Sequence, residues 1–467
     1  METDQLLAGT GRVDITPAPG TPQGGWGAQT HQRGVAADMP FHATALALAQ
    51  GNEQVVIVDA DAIGFDAEWT GRIVSAVSGL TSLPPERIRF SCTHTHSGPN
   101  TFRLANISEG LDMAVSYLES LPHRIAGAAW QACQNLEPVR VAAASGECGI
   151  SVNRRVRLPD GRVIVGQNLE GEPDRTLRVV RFDRLDEEPV AIIMHYACHG
   201  TIMGWQCRHF TPDFPGPARQ VVEQQMGCRS LFLQGAAADQ GPRVGFTGDI
   251  EVYHRLGREL GLEAAKIATE IDTLTRRQRL AGVMPSGANI ALYEYERQEP
   301  EVPVLRVTSR TIRLPLKAFA LPQELEAEVG RLWAEAERCR GAGDVEGLRL
   351  ANALATQAGW RLGNAQRYFG KQATEWPMQA IRVGPVAFLS IAGEPFSAIG
   401  RRIASQSPFR HTLFSGYSNG GFGYIPERQD YDAGGYEIEA TPFSADAADV
   451  VVSEGVQLLW ELAEEKL

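Results

Sequence analysis

The sequence predicts an α/β fold of mixed sheets with flanking helices, and three observations carry that expectation. Apolar runs of strand length recur, among them Gln54-Val55-Val56-Ile57-Val58-Asp59-Ala60-Asp61 and Val190-Ala191-Ile192-Ile193-Met194, as expected of strands buried on both faces. Segments with helical spacing separate them, at about 67–79, 108–135, 217–226 and 250–270. No repeat, low-complexity tract or linker divides the 467 residues, so one domain spanning 1–467 is the simplest organisation.

Composition narrows the function classes. With 44 Lys+Arg against 56 Asp+Glu the formal charge is -12, which repels a phosphate backbone and excludes nucleic acid as the expected partner. The acidic start Met1-Glu2-Thr3-Asp4 leads into no signal-peptide core, and no stretch approaches the roughly 18 to 20 apolar residues of a membrane span. No stable membrane anchor is therefore expected. Seven scattered cysteines without a C-x-x-C pair point to a reducing cytoplasm rather than a disulfide scaffold.

Taken in order, Gly11-Arg12-Val13-Asp14 reads as a strand, followed by a Gly/Pro-rich loop at 19–27. Gly25 in that loop lets backbone approach a substrate closely. After the strand 54–61 and the helix 67–79, Arg87-Ile88-Arg89-Phe90-Ser91-Cys92 forms a strand that ends in His94-Thr95-His96-Ser97-Gly98-Pro99. In extended structure side chains at i and i+2 share a side, so His94 and His96 can face one cavity, although such a pair can equally be a polar rim. A strand near 139–144 and a basic hairpin at 152–163 follow, the latter turning at Asp160-Gly161. Alternation puts Arg155 and Arg157 on one face and Arg154 on the other.

Strands at 176–182 and 190–194 come next, the second running into His195-Tyr196-Ala197-Cys198-His199-Gly200. The strand Ser230-Leu231-Phe232-Leu233-Gln234 ends in a small-residue loop that carries Asp239. An antiparallel segment spans 275–320, and two helical patterns at 322–367, split by Gly341-Ala342-Gly343-Asp344, read as an inserted helical hairpin. Strands at 378–382 and 386–391 lead to Gly393-Glu394-Pro395, where a helix begins. A Gly- and aromatic-rich loop at 415–427 and an amphipathic helix at 443–466 close the chain.

His94, His96, His199, Glu394 and the Tyr424 region thus fall at strand ends, the edge where open α/β sheets bind ligands. Two histidines and a carboxylate with an open position suit a catalytic zinc ion and hydrolysis of an amide or ester. His195 reads as a core histidine or one that orients a ligand, and Asp239 as a helix cap or an acid that holds a ligand histidine.

Several motifs also resemble a family in their order. Gly11-Arg12-Val13-Asp14-Ile15-Thr16-Pro17, His94-Thr95-His96-Ser97-Gly98-Pro99, Asn153-Arg154, His199-Gly200-Thr201, Ala238-Asp239-Gln240-Gly241-Pro242, Gly393-Glu394-Pro395-Phe396 and Tyr424-Ile425 resemble the catalytic domain of neutral/alkaline (non-lysosomal) ceramidases. The resemblance implies an α/β zinc amidohydrolase with one zinc per chain, held by His94, His199, Glu394 and Tyr424. It also implies that His96 polarises the carbonyl or moves a proton, and that Arg154 and Tyr436 face the substrate.

The chain departs from that family in three respects. Gly241 stands where the family has a serine, which leaves a zinc-activated water as nucleophile. No C-terminal immunoglobulin-like domain and no secretion signal are expected. The expectation is therefore a smaller, soluble amide substrate rather than ceramide, with Arg154 or Arg155 available for a polar group. An esterase, lactonase or lyase of the same fold and a non-catalytic binding protein are the alternatives, and a homo-oligomer is left open.

Overall fold

Alternation along the strands sorts the apolar side chains between two faces. In His42–Gln50, Ala43, Ala45 and Ala47 point one way and Leu46 and Leu48 the other; in Glu53–Ala60, Val56 and Val58 oppose Val55 and Ile57. The computed structural model describes residues 5–102, 107–298, 300 and 302–464. Eight strands form its main sheet in the order Arg229–Gln234, Pro189–Tyr196, Thr176–Arg184, Glu137–Glu147, Leu7–Asp14, His42–Gln50, Glu53–Ala60, Ile88–Cys92. Four strands form the second, in the order Leu305–Pro315, Ala373–Val383, Val386–Ile391, His411–Ser415.

The two sheets pack face to face, with Leu46, Ile57, Phe182, Ile193 and Leu233 of the first against Ile381, Val386, Phe388 and Leu413 of the second. On the far side of the main sheet lie the helices Ala67–Thr81 and Leu111–Gln134 over one half and Pro215–Met226 and Ile250–Glu270 over the other. Ser397–Gln406 and Ala447–Glu464 cover the outer face of the second sheet. The fold class is thus the expected one, mixed sheets with helices on the outside. Among the described residues no helix is long and apolar enough to cross a membrane.

Side chains rather than a backbone ladder join the two edges of the main sheet. Asp59 accepts from Phe232 N at 3.1 Å and Gln234 Nε2 donates to Thr93 O at 3.4 Å. Arg219, buried on its helix, reaches Asp59 at 3.3 Å and Asp61 at 2.5 Å. This seam brings the C-terminal end of Ile88–Cys92 beside those of Pro189–Tyr196 and Arg229–Gln234. The second sheet aligns its own parallel pair, Val386–Ile391 and His411–Ser415, with the same edge through the Ser91–Ser418 bridge and the 2.9 Å contact of His195 Nε2 with Phe414 O.

The structure adds two strands that the sequence reading passed over, His42–Gln50 and His411–Ser415. Ala-rich alternation carries little β propensity, and five residues give little period to read. It also divides the expected 275–320 segment. Thr275–Met284 and Ile290–Gln298 form a separate two-stranded hairpin, while Leu305–Pro315 joins the second sheet. Glu299 and Glu301, between them, lie outside the described residues, as do Met1 to Asp4 and the last residues of the closing helix expected at 443–466. The helical hairpin appears as Pro322–Ala342 and Val345–Tyr368.

Burial pushes the Asp59 carboxyl up to about 7 against the pull of Arg219. Arg219→Met leaves both seam carboxyls without their cation, so urea unfolding at pH 8 is expected to show a loss of about 3–5 kcal/mol. The loss shrinks at pH 5, because a raised folded-state pKa favours the native state where the carboxyl is protonated and disfavours it as pH rises through 7.

Candidate functional site

Each site histidine is held by backbone. His94 follows its strand in the left-handed region (φ 64). Its amide donates to Ala62 O at 2.9 Å and its Nδ1–H to Ile63 O at 2.5 Å. His199 donates from Nδ1 to Ala237 O at 2.9 Å, and His96 from Nδ1 to Gly25 O at 3.0 Å. A carbonyl can only accept, so in all three rings Nδ1 carries a proton, and a neutral ring then has its lone pair on Nε2. Close approach enforces the arrangement. A Cβ at Gly200 would stand 2.6 Å from His94 O, and one at Gly25 would stand 2.2 Å from His96 O.

The three Nε2 atoms converge. His94 Nε2 lies 3.1 Å from His199 Nε2 and 3.2 Å from His96 Nε2. Two acceptors cannot hydrogen-bond each other, so these approaches call for a cation among them. Ligand atoms on a tetrahedral ion with bonds of 2.0–2.1 Å stand about 3.3 Å apart, close to what is seen. Burial holds the pKa values of His94 and His199 well below the ordinary value, with His96 contributing at His94 and Arg154 at His199, so both stay neutral. Glu394 Oε2 lies 3.6 Å from the Nε2 atoms of His94 and His199, buried and without a hydrogen-bond partner among the described residues. The donor set therefore fits a divalent metal ion.

Glu394 and Tyr424 arrive together, because Glu394–Pro395 and Tyr424–Ile425 pair in parallel with Glu394 opposite Tyr424. Burial pushes the Glu394 carboxyl up to about 7, with Arg154 pulling the other way. It also raises the Tyr424 hydroxyl well above its ordinary value. Tyr417, on the same aromatic loop, puts its ring centroid 4.3 Å from that of His94. His94, His96, Glu394, Arg154, Tyr424, Tyr436 and Gly25 all line one cavity of about 460 Å³. Its walls are aromatic, with the Trp26 ring tilted against His96 at 5.3 Å between centroids on one side and Trp360, Tyr424 and Tyr436 clustered on another.

Three expected residues lie elsewhere. Arg155 is absent from the cavity wall; it donates to Glu437 at 2.6 Å and to Gly434 O at 2.8 Å, and serves the framework rather than a substrate. Asp239 holds no histidine. It caps the helix Ser397–Gln406 through Ser397 N at 2.7 Å and Ser397 Oγ at 2.8 Å, steadying the segment that presents Glu394, while the carbonyl of Ala237 orients His199. His195 lies between the sheets, bonded to Phe414 O and to none of the three site histidines.

The residue that sequence reasoning missed is Glu437. Buried at 1% exposure, it accepts from Arg154 Nε at 2.9 Å and from Arg155 Nη1. A register shift between Asn153 and Arg155 lets the two neighbouring arginines reach one carboxylate, which strict alternation would forbid. Burial works against the Arg154 charge, yet Glu437 and Tyr424 hold its pKa above the ordinary value. Two adjacent arginines with no acid near them in sequence were the available signal.

Comparisons with known proteins bear on the fold and the family. The crystal structure of neutral ceramidase from Pseudomonas aeruginosa superposes with a TM-score of 0.68 at 19% identity, covering 98% of this chain and 75% of that one. A structure titled "Ceramidase complexed with C2" gives 0.67 at 18% identity with the same coverage. At these identities the likeness is one of fold. Among curated proteins none matches. The family model for "Neutral/alkaline non-lysosomal ceramidase, N-terminal" matches residues 6–240, about half of the chain and the part that carries His94, His96, Arg154 and His199. The chain belongs to the neutral/alkaline non-lysosomal ceramidase family of hydrolases.

Proposed function

We propose that this chain is a zinc-dependent amidohydrolase that cleaves the C–N bond of a small, soluble N-acyl compound in a reducing cytoplasm. The observation that carries the reading is the meeting of three imidazole Nε2 atoms and an unpaired, buried carboxylate oxygen at the wall of an aromatic cavity. In this reading His94, His199 and Glu394 hold one zinc per chain, with Tyr424 as the fourth ligand beside Glu394. When bound, zinc supplies Lewis acidity toward a carbonyl and brings the pKa of water down to about 7.

The remaining steps fall to this chain's own residues. His96 is the least buried of the three imidazoles and borders the cavity, so it carries the proton to the departing amine. Arg154 keeps its charge through Glu437 and has Nη2 without a partner among the described residues. That donor is available to the oxygen that gains negative charge as the amide opens. Tyr436 and Trp360 flank the opposite wall and keep water from the reacting bond. A cavity of about 460 Å³ is within the range of pockets that take small-molecule ligands. All seven cysteines are free, in keeping with a reducing compartment.

Elemental mass spectrometry of protein dialysed without chelator is expected to find about one zinc per chain, and His94→Ala and Glu394→Ala to lose it. Failure to take up zinc even when it is added would discard the reading. Gly25→Ala pushes against the carbonyl of His96 and disturbs the loop that orients that ring. Turnover is expected to fall by about 10- to 100-fold with zinc content unchanged, because His96 moves a proton and does not hold the ion. In a substrate panel, short N-acyl amines are expected to turn over faster than long-chain ceramide in detergent; the reverse order would remove the soluble-substrate assignment.

A further inference from the structure

The hairpin Thr275–Met284/Ile290–Gln298 stands apart from both sheets. Ion pairs from Arg276 and Arg297 to Glu187, and from Arg276 to Asp272 at 2.8 Å, fasten its root. Beyond the root its large apolar side chains are open to solvent: Leu280, Val283, Met284, Ile290, Leu292, Tyr293 and Tyr295 are between 43% and 62% exposed. A lone two-stranded ribbon is marginal in water, and one with apolar groups on both faces is more so.

The register sorts those groups. Leu280 pairs with Tyr293, Val283 with Ala291 and Gln278 with Tyr295, and cross-strand partners share a face. Beyond the root this face carries no charge. The opposite face pairs Arg277 with Glu296 and Arg279 with Glu294, then ends in Leu292, Met284 and Ile290 near the turn.

We propose that this arm is a self-association surface whose occupant is the arm and adjoining body of a second copy of this chain. The uncharged face can lie on its own copy across a two-fold axis without opposing like charges, as an isologous contact requires. The apolar tip of the other face then lands on the partner's body. At roughly 100 Å² for each of the seven apolar side chains, two arms supply about 1,400 Å², the range of a standard specific interface.

A lipid surface fits less well. The turn Pro285-Ser286-Gly287-Ala288-Asn289 would enter first with the side chains of Ser286 and Asn289 and backbone outside the strand ladder, Glu294 and Glu296 lie midway along the arm, and the chain carries a net charge of -12.

Sedimentation velocity of the full chain at micromolar concentration tests the proposal. The expected result is a species of twice the 50.8 kDa chain mass. The paired substitution Leu280→Glu with Tyr293→Glu is expected to give monomer with unchanged circular dichroism and unchanged zinc content. Tyr293→Cys, which leaves most of the apolar face intact, is expected to form a disulfide-linked dimer under oxidation, so the proposal does not hang on one variant's folding. A wild-type monomer at every concentration would overturn it. So would an oligomer indifferent to the double substitution, or an arm-dependent monomer that floats with phosphatidylcholine vesicles.

Discussion

The position of the site depends on the buried seam between the edges of the main sheet. Arg219 bridges Asp59 and Asp61, and Asp59 at the same time receives the amide of Phe232 on the opposite edge strand. A backbone ladder would fix a register but leave nothing to adjust. A charged side-chain seam holds the two edges at side-chain distance, and that separation lets His94 and His199, 105 residues apart, bring their Nε2 atoms within 3.1 Å. Removing charges from water here is costly, and Arg219 offsets only part of that cost, since Asp59 Oδ1 and Asp61 Oδ1 are buried without a hydrogen-bond partner among the described residues.

Above the seam the site is assembled from strand ends of both sheets. Three imidazoles come from the main sheet, Glu394 and Tyr424 from loops of the second, and Arg154 from the hairpin strand Ser151–Arg157. Each is immobilised by a different neighbour, the imidazoles by carbonyls and Arg154 by Glu437. Burial keeps His94 and His199 neutral and strains the charge on Glu394, so the same low-polarity surroundings prepare the donors for a cation and penalise the site without one.

Much of this was legible in sequence because apolar strands ending in His-x-His, His-Gly or Gly-Glu mark a functional edge by pattern alone. His94, His96, His199 and Glu394 were readable for that reason, and the order of the motifs placed Tyr424, Tyr436 and Arg154 near them. What was not legible depends on tertiary contact. The capping of Ser397 by Asp239 and the sharing of Glu437 by Arg154 and Arg155 involve partners more than 150 residues distant, and the register shift at Asn153 that permits the sharing breaks the alternation a sequence pattern assumes. The strand His42–Gln50 was hidden for a local reason, since alternating alanines do not announce a sheet.

The choice of backbone carbonyls as partners for the three imidazoles has an evolutionary consequence. A carboxylate that orients a ligand can be lost by one codon change, whereas the carbonyls of Ile63, Gly25 and Ala237 persist whatever side chain those positions encode. The vulnerable places shrink to a few glycines, such as Gly25 and Gly200, where any side chain would collide. With the three rings oriented by backbone, the side chains that line the cavity can change without removing the groups that hold the imidazoles.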